Sequence, residues 1–285
     1  MSPNTSDPTE SIARVVAFYD AHPINEEQIL RALRTRGIPL EGLSEETLKD
    51  HDQDHFGGIQ ANDQLAQAAG LRANQLVLDV CSGMGGPARY LAYRFGCRVV
   101  GLDFTESRHL GAQRLTRLTG LDHLVSFRLG NALDMPFEDA TFDAVIGQEA
   151  WCHVPDKPRL IAECVRVTQA NGVVAFTDIL RRSSLTELEM QRLQVEMAFP
   201  TLETLDGYAE LLSASGCSVE RRDDLSAPWA EILVARLTMY RSLRDDTVRK
   251  FGEAHFRKWD DTYAFFVGLY GAGKLGGGRF VARKG

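Results

Sequence analysis

Positive charge is in short supply in this chain of 285 residues. Lys and Arg number 32 against 39 Asp and Glu, which leaves a formal net charge of −7. No basic run is long enough to make a local exception, so neither nucleic acid nor an anionic membrane surface is an expected partner. Cysteine is sparse as well. The five residues, Cys81, Cys97, Cys152, Cys164 and Cys217, are odd in number and never spaced as a metal knuckle or a C-x-x-C pair. That excludes a disulfide framework and fits a reducing cytoplasm. No apolar run approaches the length of a membrane span, and the opening MSPNTSDPTE has neither a basic start nor an apolar stretch. A cytoplasmic protein is therefore the expectation. No set of His, Asp and Glu has metal-ligand spacing, so no metal is expected. Internal repeats and low-complexity tracts are lacking too.

What is present is alternation. After about ten residues expected to be disordered, Ile12, Val15, Val16 and Tyr19 recur at helical spacing, and Ile29, Leu30 and Leu33 repeat the pattern. Short apolar runs follow at 76–80, 98–103, 125–129, 142–147 and 172–178, separated by segments of helical period, two of which end on Gly120 and Gly172. Five strand-helix repeats predict a mostly parallel sheet covered on both faces. A helix and strand over 208–223, helices over 228–250 and 253–269, and a closing strand in GGGRFVARK complete the reading. The expected fold is α/β: a doubly wound, seven-stranded, mostly parallel sheet. An N-terminal helical cap is expected over 1–70 and the core over 71–285, with helical insertions at about 184–200 and 228–270.

One segment carries chemistry. VLDVCSGMGGPARYLA sets Gly83, Gly85 and Gly86 between a buried strand and a helix whose first turn holds Pro87. Glycines let a ligand touch the backbone, and the exposed amides of a helix N-terminus attract a carboxylate or phosphate. Gly83, Gly85 and Ala88 also fit a dinucleotide fingerprint, with Asp103 twenty residues on for a ribose. Against a nicotinamide cofactor stands Asp79, four residues before Gly83, where a carboxylate repels a pyrophosphate and suits an ammonium. GNALDMPFEDATFDAVIGQEAWCHVPD has no counterpart in that fingerprint.

These segments resemble class I S-adenosylmethionine-dependent methyltransferases, nearest to the sarcosine/dimethylglycine N-methyltransferase-like group. The likeness runs from HFGG at His55 through TDIL at Leu180 and returns in GKLGGGRFVARK. It implies S-adenosyl-L-methionine as cofactor, S-adenosyl-L-homocysteine as product and a Rossmann-like methyltransferase fold. Asp79 then sits near the methionine amino group, with Gly83 and Gly85 lining its path. Asp103 takes the ribose hydroxyls, and Phe104 flanks the adenine. Asn131, followed by Ala132, stands where an aspartate usually accepts from the adenine amino group, and Cys81 stands where the first glycine of the loop is commonest.

Gln148, Glu149, Trp151, Cys152 and His153 follow the fourth strand at the sheet edge where ligands of open α/β sheets bind, so they are expected to face the methyl group. His153 is the candidate base, though it could equally orient a carbonyl or cap the next helix. Glu149 could attract a cationic amine or pair with an arginine elsewhere. Tyr19, Trp151 and Trp259 are candidate contacts to the acceptor, with core or lid packing as the alternative. His55 reads as a lid contact to the cofactor or a turn residue before Gly57. Arg279 is a conceivable anchor for an acceptor carboxylate. The expected partner is a small-molecule methyl acceptor, with a homodimer left open. The resemblance favours the nitrogen of a small amine or amino acid. Methylation of oxygen, sulfur or carbon on a natural-product or quinone-like acceptor is the alternative, and a cofactor-binding protein without turnover stands outside the enzyme class.

Overall fold

The structure, a computed structural model, describes residues 8–20 and 25–285. Four helices come first: α1 (Pro8–Asp20), α2 (Glu26–Thr35), α3 (Glu45–Leu48) and α4 (Gly58–Ala68). The alternating region follows as β1 (Leu76–Val80), α5 (Gly86–Phe95), β2 (Arg98–Asp103), α6 (Glu106–Leu118), β3 (Val125–Leu129), β4 (Phe142–Gln148), α7 (Lys157–Val167) and β5 (Thr168–Arg181). A single helical turn, Trp151–His153, lies between β4 and α7. The remainder is α8 (Glu187–Glu196), α9 (Leu205–Ala214), β6 (Cys217–Asp224), α10 (Ser226–Ser242), α11 (Arg244–Phe251), α12 (Glu253–Gly271) and β7 (Leu275–Lys284).

The seven strands form one sheet in the order β3-β2-β1-β4-β5-β7-β6, parallel except for β7, which runs antiparallel to both its neighbours. The expected doubly wound, mostly parallel sheet is what forms. Neighbouring residues of a strand feed opposite faces, as pleating requires. Leu78, Val145 and Phe176 enter one apolar layer, while Val77, Ile146 and Ala175 enter the other. Burying each of these side chains other than Ala175 contributes about 1.5–3 kcal/mol. A third cluster, with Phe199, Trp229, Leu233 and Phe266, gathers α8, α10 and α12 over the end of β5. Strand order reverses between β1 and β4, and the crevice beyond their carboxyl ends is where such sheets take ligands.

Three element boundaries differ from expectation. The helix expected to end on Gly172 stops at Val167, because Thr168 turns extended and its Oγ1 donates to the Cys164 carbonyl at 2.6 Å. Asn171 then adopts φ 61, and a Cβ on Gly172 would lie 2.6 Å from Thr168 Cγ2. The helix expected over 228–250 breaks at Leu243, whose N–H reaches back to Tyr240 rather than a full turn. The expected disordered start falls largely on residues 1–7, outside the described residues, while Pro8 already belongs to α1. Among the described residues, no helix is long and apolar enough to cross a membrane.

Candidate functional site

A cavity of about 520 Å³ opens over the carboxyl ends of β1, β2 and β4. Its floor is the glycine turn. Cys81, Gly83 and Gly85 take φ values of 63°, 52° and 73°, so the chain reverses tightly between β1 and α5. The two glycines are needed for different reasons. A Cβ on Gly85 would lie 2.5 Å from the Phe127 ring, whereas one on Gly83 would meet nothing within 4 Å. Packing excludes a side chain at Gly85, and the left-handed backbone alone disfavours one at Gly83, which borders the cavity. Cys81 holds a left-handed conformation without that freedom, and burial pushes its thiol pKa up.

Two carboxylates shape the floor's charge. Asp103 Oδ2 accepts the Gly83 N–H at 2.8 Å and Oδ1 accepts the Thr105 N–H at 2.8 Å, so the end of β2 fastens the glycine turn. Each oxygen keeps a lone pair for a ligand hydroxyl. Burial raises the Asp103 pKa, opposed by those backbone bonds. Asp79 is buried on β1, and burial followed by the charge of Asp103 lifts its pKa to about 7. Asp79 Oδ2, Ser82 Oγ and Gln148 Nε2 are buried without a hydrogen-bond partner, and all three residues line the cavity. Such atoms cost about 1–3 kcal/mol each when nothing meets them. They leave polar capacity at the cavity that the protein itself does not use.

At the β2–β3 end, Phe104, Asn131 and Ala132 line the cavity. Asn131 Oδ1 already accepts the Leu133 N–H at 2.9 Å, an Asx-type turn that fixes the side-chain oxygen near its own backbone.

Beyond β4, Glu149 sits at φ 49° with its carboxylate turned into the cavity, where it accepts from the Phe56 N–H and from Thr177 Oγ1, the latter at 2.7 Å. Burial pushes its pKa up to about 7 against those bonds. His153 is buried, with Nδ1 3.0 Å from the Ala198 carbonyl and Nε2 3.0 Å from the Tyr19 hydroxyl. A carbonyl only accepts, so Nδ1 carries the proton and Nε2 is the acceptor. Tyr19 comes from α1, and the Arg108 guanidinium lies 4.9 Å from its ring centre. Burial, reinforced by Asp54, raises the Tyr19 pKa well above the ordinary value.

Three sequence candidates stand elsewhere. Trp151 is fully buried, stacked on Phe176 at 4.1 Å, and donates from Nε1 to the Val80 carbonyl at 3.3 Å. It supports the glycine turn from beneath and does not line the cavity. Trp259 stacks on Tyr263 at 4.5 Å, and it is Tyr263 that reaches the cavity. Arg279 is closed off by Asp223, 2.7 Å away, and by Gln64. Residues that sequence reading passed over line the β4–β5 end instead: Met197, Phe199, Arg236, Tyr263 and Phe266. Arg236 donates to the His55 carbonyl at 3.0 Å and covers the Phe56 ring at 5.0 Å. Among the described residues, no group of three His, Cys, Asp or Glu is arranged to hold a metal.

Residues 78–176 match a family model described as a methyltransferase domain. A sarcosine/dimethylglycine N-methyltransferase of Halorhodospira halochloris is 32% identical over 51% of this chain and 52% of its own length. A sterol 24-C-methyltransferase of Eremothecium gossypii is 35% identical over 60% of this chain and 44% of its own. The chain thus spans about half the length of these curated relatives. Among solved structures, phosphoethanolamine N-methyltransferase 2 of Haemonchus contortus, in complex with phosphomonomethylethanolamine and S-adenosylhomocysteine, superposes with a TM-score of 0.76 at 19% identity, covering 94% of this chain and 59% of that one. The fold of this chain is therefore shared with that structure.

Proposed function

We propose that the methyltransferase domain formed by residues 78–176 makes this chain an S-adenosylmethionine-dependent enzyme that methylates a small-molecule acceptor. The observation that carries the reading is the bare, buried Asp79 Oδ2 beside the left-handed Gly83 turn. An ammonium suits that oxygen, and a pyrophosphate does not. The residues fit the cofactor at three further points. Asp103 keeps lone pairs for a ribose diol, Gln148 Nε2 offers an unpaired donor, and Phe104 and Ala132 supply an apolar slot.

When bound, the cofactor supplies an activated sulfonium methyl, and transfer is an in-line displacement that leaves S-adenosylhomocysteine. The protein's part is alignment and exclusion of water. Phe18, Phe199 and Phe266 wall the acceptor end, while Tyr19 and His153 place a hydroxyl and an imidazole nitrogen beside it. His153 Nε2, once released from the Tyr19 hydroxyl, is the group able to take a proton from an acceptor amine.

The acceptor end is more apolar than an amino acid requires. Val15, Phe18, Ile179, Met197, Phe199 and Phe266 line it, with Glu149 and Arg236 as the charged groups. The proposed acceptor is therefore an amine with a substantial apolar body. Methylation of oxygen, sulfur or carbon on a natural-product-like acceptor is a second reading favoured by the same walls. Methyl-labelled cofactor offered with small amino acids, apolar amines, phenols and thiols decides between them. Faster turnover of sarcosine than of every apolar acceptor would sink the apolar assignment, and no transfer alongside tight cofactor binding would leave a binding protein.

A further inference from the structure

A directed chain of hydrogen bonds ends on His55 at the roof of the cavity. It begins at Arg89 on α5, which is fully buried and whose Nη2 donates to Asp52 Oδ2 at 2.5 Å. Asp52 Oδ1 accepts from Gln53 Nε2 at 2.7 Å, Gln53 Oε1 accepts from Asn62 Nδ2 at 2.8 Å, and Asn62 Oδ1 faces His55 Nε2 at 2.7 Å. The order of donors and acceptors has no freedom. A carboxylate paired with a guanidinium only accepts, so Gln53 must turn its NH2 to Asp52 and its oxygen to Asn62. Asn62 in turn donates to Gln53 and leaves its own oxygen to the imidazole. Nε2 of His55 therefore carries the proton, and Nδ1 keeps a bare lone pair. Burial, helped by the charge of Arg236, lowers the pKa of this imidazole to about 4, so the ring stays neutral.

That lone pair is a built acceptor. His55 is 5% exposed, its Nδ1 has no hydrogen-bond partner, and the residue lines the cavity. The segment carrying it crosses from one side of the site to the other. At one end the Asp52 carbonyl lies 2.5 Å from where a Cβ on Gly86 would stand, and at the other the Phe56 N–H meets Glu149 beyond β4. His55 thus roofs the gap between the ends of β1 and β4, on the methionine side of Asp103. The acceptor atoms left bare and buried at the cavity are Asp79 Oδ2, Ser82 Oγ and His55 Nδ1, whereas an ammonium brings three N–H donors.

We infer that His55 Nδ1 accepts a hydrogen bond from the α-ammonium of the methionine part of the cofactor, with Asp52, Gln53 and Asn62 acting as positioning residues that fix its tautomer. The inference rests on the reading of this cavity as an S-adenosylmethionine site. It makes the N-terminal segment a direct reader of the cofactor's amino acid part.

Imidazole nitrogen spectra of the full chain, 15N-labelled at histidine, test it with two ligands. S-adenosylhomocysteine carries the ammonium, and 5′-methylthioadenosine lacks it. The free protein shows His55 protonated on Nε2, and S-adenosylhomocysteine moves the Nδ1 resonance in the direction of a hydrogen-bonded acceptor, while bound methylthioadenosine leaves it in place. His55→Phe weakens S-adenosylhomocysteine about tenfold or more and spares methylthioadenosine, His55→Gln restores part of the loss, and Asn62→Leu reproduces part of it. A merely structural role would weaken both ligands alike. A proton on Nδ1 in the free protein, an unmoved Nδ1 with S-adenosylhomocysteine bound, or equal losses for both ligands overturns the role of His55 alone. Failure of the unmodified protein to bind either ligand overturns the cofactor reading and this inference with it.

Discussion

Tyr19 and His153, 134 positions apart in the chain, meet at 3.0 Å between the tyrosine hydroxyl and Nε2 at the end of the cavity beyond β4. The contact joins α1 to the turn after β4, and the Ala198 carbonyl on Nδ1 fixes its direction. The nitrogen that would serve as a base is therefore covered by a hydroxyl from the N-terminal helix. If the pair acts as a unit, Tyr19→Phe and His153→Ala each lower turnover by about 10²-fold, and the double variant loses little more than either single one. Affinity for S-adenosylhomocysteine changes far less than turnover. Fully additive losses would show that the two residues act independently.

Asp103, the proposed ribose ligand, also takes the Gly83 and Thr105 amides on separate oxygens. An asparagine in its place can accept only one of the two and must turn an NH2 toward the other donor. Asp103→Asn is accordingly expected to be no milder than Asp103→Ala. Each should weaken S-adenosylhomocysteine by about 1–3 kcal/mol and lower stability by a smaller amount. Calorimetry and thermal melts measure both effects. Wild-type affinity in the asparagine variant would show that the carboxylate is dispensable at the ribose.

The glycine-turn end of the cavity was legible because it is local. Asp79, Gly83 and Asp103 lie at the tips of adjacent parallel strands, where strand-turn-helix patterning alone fixes which side chains reach the crevice. The end beyond β4 was not. Phe199, Arg236 and Phe266 come from separate helical regions whose apolar spacing is that of ordinary core, and only tertiary packing turns them toward one cavity. Trp151 shows the limit of position as a guide. It follows β4 as Glu149 and His153 do, but the left-handed Glu149 and the helical turn behind it aim the indole inward at Phe176.

That inward placement makes a separable prediction. Trp151→Phe removes the bond from Nε1 to the Val80 carbonyl, and with it part of the stack on Phe176, just before the glycine turn. The variant should lose about 1–3 kcal/mol of stability in denaturant unfolding, while the KM for an identified acceptor stays unchanged. A raised acceptor KM at unchanged stability would return Trp151 to the substrate site.

Asp79 and Glu149 both have pKa values lifted to about 7, chiefly by burial, from ordinary values of 3.8 and 4.5. An acid whose folded pKa exceeds its unfolded value holds an extra proton in the folded state between those two pH values. Stability of the ligand-free protein from these groups is therefore greatest below about pH 4 and falls as pH rises through about 7, levelling off above it. An ammonium beside Asp79 favours the ionised carboxylate, so ligand binding should release a proton and strengthen with pH. Affinity for S-adenosylhomocysteine is expected to rise by up to about tenfold per pH unit below pH 7, and the ligand should raise the melting temperature more at pH 7.5 than at pH 5.5. Calorimetry in buffers of different ionisation enthalpy counts the proton directly. Asp79→Asn should abolish most of the dependence, because the amide cannot ionise. Affinity independent of pH between 5 and 7 in the unmodified protein would mean that no ammonium is held at Asp79.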